Sequence, residues 1–395
     1  MTGVEQESDV VDNIRGLARP PVRASWTSRF ALLGAFALLL VAVACKPENR
    51  PQVETIGGEG AVSISGADES AGGPPSGIRY TPTTPQDLAA QAGNDLRDLR
   101  SVMNVAIDGR PVDWTRATQF YEAGRNQKRP DGSLRSLASL ADADAHALFP
   151  DGAKVFGAPN FIDKMIRDGL TGTGSAVGLS DDARRQYVDR GVSMVIYARA
   201  LQSMGRAKAA LDAKAPGAPA ALDESWAYIT GVVDGDAQRP FGLLQTAINL
   251  ETDLKLNGKL SRPLEAAYIT ALAAAQKGDV ATFDKYTTEA RGELAAIFYL
   301  ATLKPAKALE GASNVEARAS LLADGWTAFQ PIRASVTVVS AGAATNVQSA
   351  YSKPPSGAWT AADTQAVYQA LNEASVLQAL DIPAPLQLKQ PPAAS

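Results

Sequence analysis

Apolar positions between residues 86 and 380 recur with a period near 3.6, the spacing that lays one stripe along a helix. In "SDDARRQYVDRGVSMVIYARALQSMGRAKAAL", Ser180 reads as an N-cap, and Asp181 and Asp182 occupy the first turn, where the helix dipole favours negative charge. Val192 to Leu201 is apolar nearly all round, which predicts a helix buried on most sides. In "DVATFDKYTTEARGELAAIFYLATLKP", Phe283, Thr287, Ala290, Leu294, Ile297 and Ala301 share a face, and Pro305 sits near the expected stop. The same reading predicts helices over 87–107, 113–123, 160–169, 221–234, 241–256, 263–277, 315–343 and 361–380. "SVTVV" at 335–339 is the one β-like run, and a buried helical segment accounts for it equally well. The expected fold class is all-α, a multi-helix, bundle-like domain.

Two stretches stand out from this background. In "FYEAGRNQKRPDGSLRSLA", residues 120 to 138, Tyr121-Glu122 closes one predicted helix, a basic loop breaks at Pro130-Asp131-Gly132, and Ser133 restarts a second helix. Three tryptophans follow acids at expected helix starts: Trp114 in "VDW", Trp226 in "DESW" and Trp326 in "ADGW". Their separations of about 110 and about 100 residues suggest degenerate helical repeats. Acids at helix N-termini are ordinary, so an unrepeated chain reads the same way.

Composition narrows the chemistry. Aromatics make up 6% and hydrophobic residues 45%, a balance that leans helical and is ample for a large core. Lys+Arg 38 against Asp+Glu 42 gives a net charge of −4, so there is no basic footprint for nucleic acid. One cysteine excludes an intrachain disulfide, and one histidine excludes a zinc site built from His and Cys. Any metal would be held by oxygen.

The single cysteine is informative by position. Arg15, Arg19, Arg23 and Arg29 precede "FALLGAFALLLVAVA", about fifteen apolar residues, the length of a signal-peptide core and short of a spanning helix. Cys45 follows in "AVAC", which resembles the lipobox of bacterial lipoproteins, where the signal is cleaved before the cysteine and the thiol is acylated. An uncleaved anchor or an ordinary cleaved signal are the alternatives. The expected organisation is a lipoprotein-type signal over 1–44, an acylated Cys45 with a Gly/Pro/Ser-rich tether over 45–85, a helical domain over 86–381 and a Pro-rich tail over 382–395. Such a tether has a root-mean-square span on the order of 35 Å. The location implied is extracytoplasmic, lipid-anchored to a bacterial membrane.

Familiar catalytic arrangements are missing. His146 in "ADADAHALFPDG" has no nucleophile signature near it, and "GLTGTGSAVG" at 169–178 lacks the preceding strand of a dinucleotide site and reads as an inter-helix loop. Tyr286, Glu289 and Glu293 fall within about 60° of arc beside the apolar stripe of their helix, where carboxylates can reach an interhelical cleft as in metal-binding bundles. Hard cations such as ferric iron favour carboxylate and phenolate oxygen.

"DWTRATQFYEAGRNQKRPDGSLRSLA", "DESWAYITG" and "DGWTAFQPI", in that order over roughly residues 100 to 380, resemble the low-iron-inducible periplasmic proteins first known from algae, an iron-assimilation family with bacterial members. The likeness rests on Tyr121, Glu122, Gly124, Asp131-Gly132-Ser133, Arg135, Glu224, Trp226, Gly325-Trp326 and Pro331-Ile332; "RPFGLLQTAINL" departs from it by lacking the expected basic run. The resemblance implies an extracytoplasmic protein that helps capture iron, and it implies no reaction. On that reading Tyr121, Glu122, Asp131 and Glu224, with Glu289 and Glu293, are candidate oxygen ligands for Fe(III), and Arg135, Arg184 and Arg185 balance their charge or hold a carbonate-type anion. An uptake permease or another envelope protein is the expected partner. The alternatives are a non-enzymatic interaction lipoprotein of the envelope and a carboxylate-based glycan hydrolase.

Overall fold

A computed structural model describes residues 78–142, 155, 157, 160–231 and 240–390. The expected signal, Cys45, most of the tether and His146 lie outside them. Thirteen α-helices are present among the described residues, and the β component is one isolated antiparallel bridge, Lys128 to Leu134. The chain is all-α. No helix among the described residues is long and apolar enough to cross a membrane.

In order, the helices are α1 Asp87–Met103, α2 Trp114–Ala123, α3 Leu137–Asp142, α4 Phe161–Thr171, α5 Asp181–Asp212, α6 Ala218–Thr230, α7 Leu243–Asp253, α8 Ser261–Lys277, α9 Val280–Leu309, α10 Val315–Val339, α11 Ala341–Tyr351, α12 Ala361–Leu371 and α13 Ala374–Ala379. Their starts follow capping chemistry. Asp113, Ser180, Asp279, Asn314 and Ser340 each accept a backbone N–H from the first turn of α2, α5, α9, α10 and α11, and Thr360 with Asp363 forms a capping box for α12.

Helix α5 is central, as its apolar middle requires. It packs on α4, α6, α9 and α10, and Val192, Met194, Val195 and Ile196 are fully enclosed. Each buried aliphatic side chain contributes about 1.5–3 kcal/mol. Helix α9 packs on α8, α10 and α12. Gly325 on α10 lies against the Tyr351 ring of α11, where any added Cβ collides with the ring.

Several expectations shift. Ser133 does not restart a helix: it sits in a turn, and α3 begins at Leu137 with Ser136 as its cap. Pro305 lies near the stop of α9 as expected, but inside the helix, which ends at Leu309; the Tyr351 and Thr364 hydroxyls donate to the carbonyls of Thr302 and Ala306 beside it. The expected 315–343 and 361–380 helices are each broken, by the cap at Ser340 and by a turn at Asn372-Glu373. "SVTVV" ends α10, with Val336 buried but Val338 and Val339 exposed. Only Trp114 starts a helix, since Trp226 lies in the second half of α6 and Trp326 midway along α10, so the three blocks occupy non-equivalent places.

Both domain edges move outward. Residues 78–85 belong to the folded body: Tyr80 is 5% exposed and meets Trp226 at 4.9 Å and Tyr268 at 6.2 Å between ring centroids. The Asp223 carboxylate of α6 accepts the Tyr80 hydroxyl (2.7 Å) and the backbone N–H and hydroxyl groups of Thr83 and Thr84. Glu265 of α8 accepts the N–H groups of Arg79 and Tyr80. At the other edge Ile382 and Leu386 are buried, and Asn372 holds the carbonyl of Leu388 at 2.9 Å. A chain beginning at Gln86 loses the contacts to both buried carboxylates and is expected to melt on the order of 6–10 °C lower than one beginning before Ile78. Thermal unfolding of the two followed by circular dichroism checks this, and equal melting temperatures refute the clamp.

Candidate cation site

The expected ligands fall into four places. At the corner of α2 and α4, Tyr121 is fully buried and its hydroxyl donates to Asp163 Oδ1 at 2.7 Å. Arg167 donates to Asp163 Oδ2 at 2.8 Å, pairs with Glu122, and lies 5.8 Å over the Tyr121 ring. Tyr121 and Glu122 are thus brought together, around an arginine that already offsets the carboxylates. Their partner Asp163 was missed in the sequence, where its only trace is the i,i+4 spacing with Arg167.

Asp131 lies apart, exposed in the loop between α2 and α3. Its carboxylate accepts the backbone N–H (2.9 Å) and hydroxyl (2.7 Å) of Ser133, which hold its pKa below the ordinary value. The loop is tied down by Asp95 of α1, whose buried carboxylate accepts from Asn126 and Gln127. Glu224 of α6 pairs with Arg206 of α5.

The three arginines are committed elsewhere. Arg135 donates to Gln127 and to the carbonyl of Leu88, both at 2.8 Å. Arg184 caps the C-terminus of α4 through the carbonyls of Gly169 and Leu170 and stacks 4.0 Å over Trp114. Arg185 pairs with Asp182 at 2.8 Å.

The fourth place is different. Glu293 on α9 is 5% exposed, and its Oε2 is buried without a hydrogen-bond partner. A buried carboxyl oxygen left in that state costs free energy, so the site favours whatever neutralises it. Glu251 of α7, equally buried, stands near enough to repel it; Glu251 accepts the N–H groups of Leu260 and Ser261 and the Ser261 hydroxyl, capping the start of α8. Burial first, then the Glu251 and Glu289 charges, push the Glu293 pKa up to about 8. Glu289, one turn earlier on α9, is exposed and 4.0 Å from Lys285, whose amine sits 5.0 Å over the Tyr286 ring. Glu251 carries no sequence signal, because its pairing with Glu293 is made by packing.

Among the described residues no three His, Cys, Asp or Glu side chains already surround a common point, so a cation here would have to draw Glu289 inward. No family model matches the chain, and no curated protein or solved structure matches it either.

The raised pKa has a sign. Folded Glu293 keeps its proton to about 8, whereas the ordinary value is 4.5, so between these the folded state binds more protons and stability falls as pH rises. Glu293→Gln is therefore expected to reduce the drop in melting temperature between about pH 6 and pH 9 by a few degrees. An unchanged drop would mean that this carboxyl titrates normally.

Proposed function

We propose that this chain is a lipid-tethered extracytoplasmic protein that binds a hard cation, ferric iron fitting best, through Glu293 and Glu251 with Glu289 drawn in from the surface. The observation that carries this reading is the buried Glu293 oxygen with no hydrogen-bond partner, beside a second buried carboxylate. A trivalent cation supplies the missing partner and relieves the repulsion at once. Deprotonation accompanies loading, so affinity rises with pH up to about 8. The lipobox-like Cys45, the export-like segment before it and the three family-like blocks support delivery of iron at a membrane surface, to an uptake permease or another envelope protein.

The rival reading, a non-enzymatic interaction lipoprotein, is favoured by the local hydrogen bonds and ion pairs that hold Tyr121, Glu122, Asp131 and Glu224. Glycan hydrolysis fits less well. Glu293 has the raised pKa of a general acid, but its burial denies a glycosidic oxygen access to it.

Equilibrium dialysis of the full mature chain against ferric citrate, with and without bicarbonate at about pH 6 and pH 8, tests the proposal. Binding near one equivalent, stronger at the higher pH, weakened at least ~10-fold by Glu293→Gln and kept by Tyr121→Phe/Glu122→Gln, is the expected result. Loss in the double variant alone would move the site to the α2–α4 corner. No binding by any form would discard the cation function and leave the interaction reading.

A further inference from the structure

Trp326, the tryptophan of the third block, belongs to none of the carboxylate sites. It stacks on Tyr187 of α5, centroids 5.3 Å apart and planes 23° from parallel, and it lines two adjoining cavities of about 350 and 300 Å³. Each has the size of a ligand cleft. Ser175 also lines both, so the cavities meet along the Ser175–Trp326 edge.

The larger cavity combines an apolar wall with a mixed polar rim. Phe161, Met165 and the indole form the wall, and Lys164, Asp168 and Ser175 stand on the rim. Lys164 donates to Asp168 at 2.9 Å, and the Ser175 hydroxyl donates to the same carboxylate at 2.9 Å. Burial opposes the charge on Asp168, but these hydrogen bonds outweigh it and hold its pKa below the ordinary value. The rim therefore offers a fixed acceptor, an ammonium donor and an exposed hydroxyl, and the Gln330 amide and Arg333 guanidinium line the same cavity, so Lys164 and Arg333 outweigh Asp168 by one positive charge. A small anion would pair with Lys164 or Arg333 but leave Asp168 facing a like charge, whereas vicinal hydroxyls can donate to Asp168 and accept from either cation, which uses every charged group of the lining. A pyranose ring presents that pattern on its edge and an apolar C–H face to an indole.

We infer that the Trp326 cleft binds a neutral oligosaccharide of at least two pyranose units, one against the Trp326–Lys164–Asp168 rim and the next along the Tyr187 side. The cleft binds and does not cleave. Asp168 stays ionised and cannot act as a general acid, and neither cavity is lined by a second carboxylate among the described residues. This inference is independent of the cation reading, since it shares no residue with Glu251, Glu289 or Glu293.

The test is calorimetric titration of the full chain, with tryptophan fluorescence in parallel, against tetrasaccharides of glucose and of N-acetylglucosamine. Saturable binding of at least one probe is expected, reduced at least ~10-fold in Trp326→Ala and ~3-fold or more in Lys164→Ala, while Glu293→Gln binds like the parent. Lys164 is exposed, so its variant keeps the test valid if Trp326→Ala fails to fold. No binding of either sugar at millimolar concentration overturns the inference. So does undiminished binding by Lys164→Ala together with a folded Trp326→Ala.

Discussion

The Asp223 carboxylate is the constraint on which the rest of this fold is assembled. It is 1% exposed, and a bare charge so deeply placed would be prohibitive. Five donors from Tyr80, Thr83 and Thr84 surround it instead. The arrangement satisfies both sides, because the extended segment 78–85 has no helix of its own to absorb its backbone N–H groups. Glu265 does the same for Arg79 and Tyr80. Next to Asp223, Ser225 donates to the carbonyl of Ala200 and shares a hydrogen bond with Tyr268, so α5, α6 and α8 meet at one polar knot under the Tyr80–Trp226–Tyr268 cluster. The point at which the N-terminal chain enters the body is fixed there.

The same economy explains why so few acids are left to bind anything. Asp181 accepts the indole N–H of Trp114, Asp182 accepts Ser320, Asp189 pairs with Arg100, and Asp324 with Arg190. In each case the acid fastens one helix to another. Glu293 stands outside this pattern. Its charged neighbours are carboxylates, and its geometry asks for a proton or a cation.

The tryptophan blocks show how one local signature serves different ends. Trp226 fills the polar knot, Trp114 underlies the Arg184 cap of α4, and Trp326 forms the wall of a cleft. Acid-then-tryptophan is readable in the chain, but whether the indole is enclosed, capped or open depends on which helix lies opposite. The Tyr121 corner has the same lesson: Tyr121 and Glu122 are local to α2, whereas Asp163 and Arg167 come from α4, some forty residues on.

Helical periodicity, N-caps and the all-apolar centre of α5 are properties of neighbours within a turn or two, so the sequence alone sufficed for the fold class and most helix positions. Helix ends were read less well, and the folded status of residues 78–85 depends on carboxylates well over a hundred residues away. The candidate sites needed the tertiary structure most. Glu251 comes close enough to Glu293 to repel it, and Tyr187 meets Trp326, only because separate helices pack together, and packing points are set by many side chains at once rather than by any local pattern.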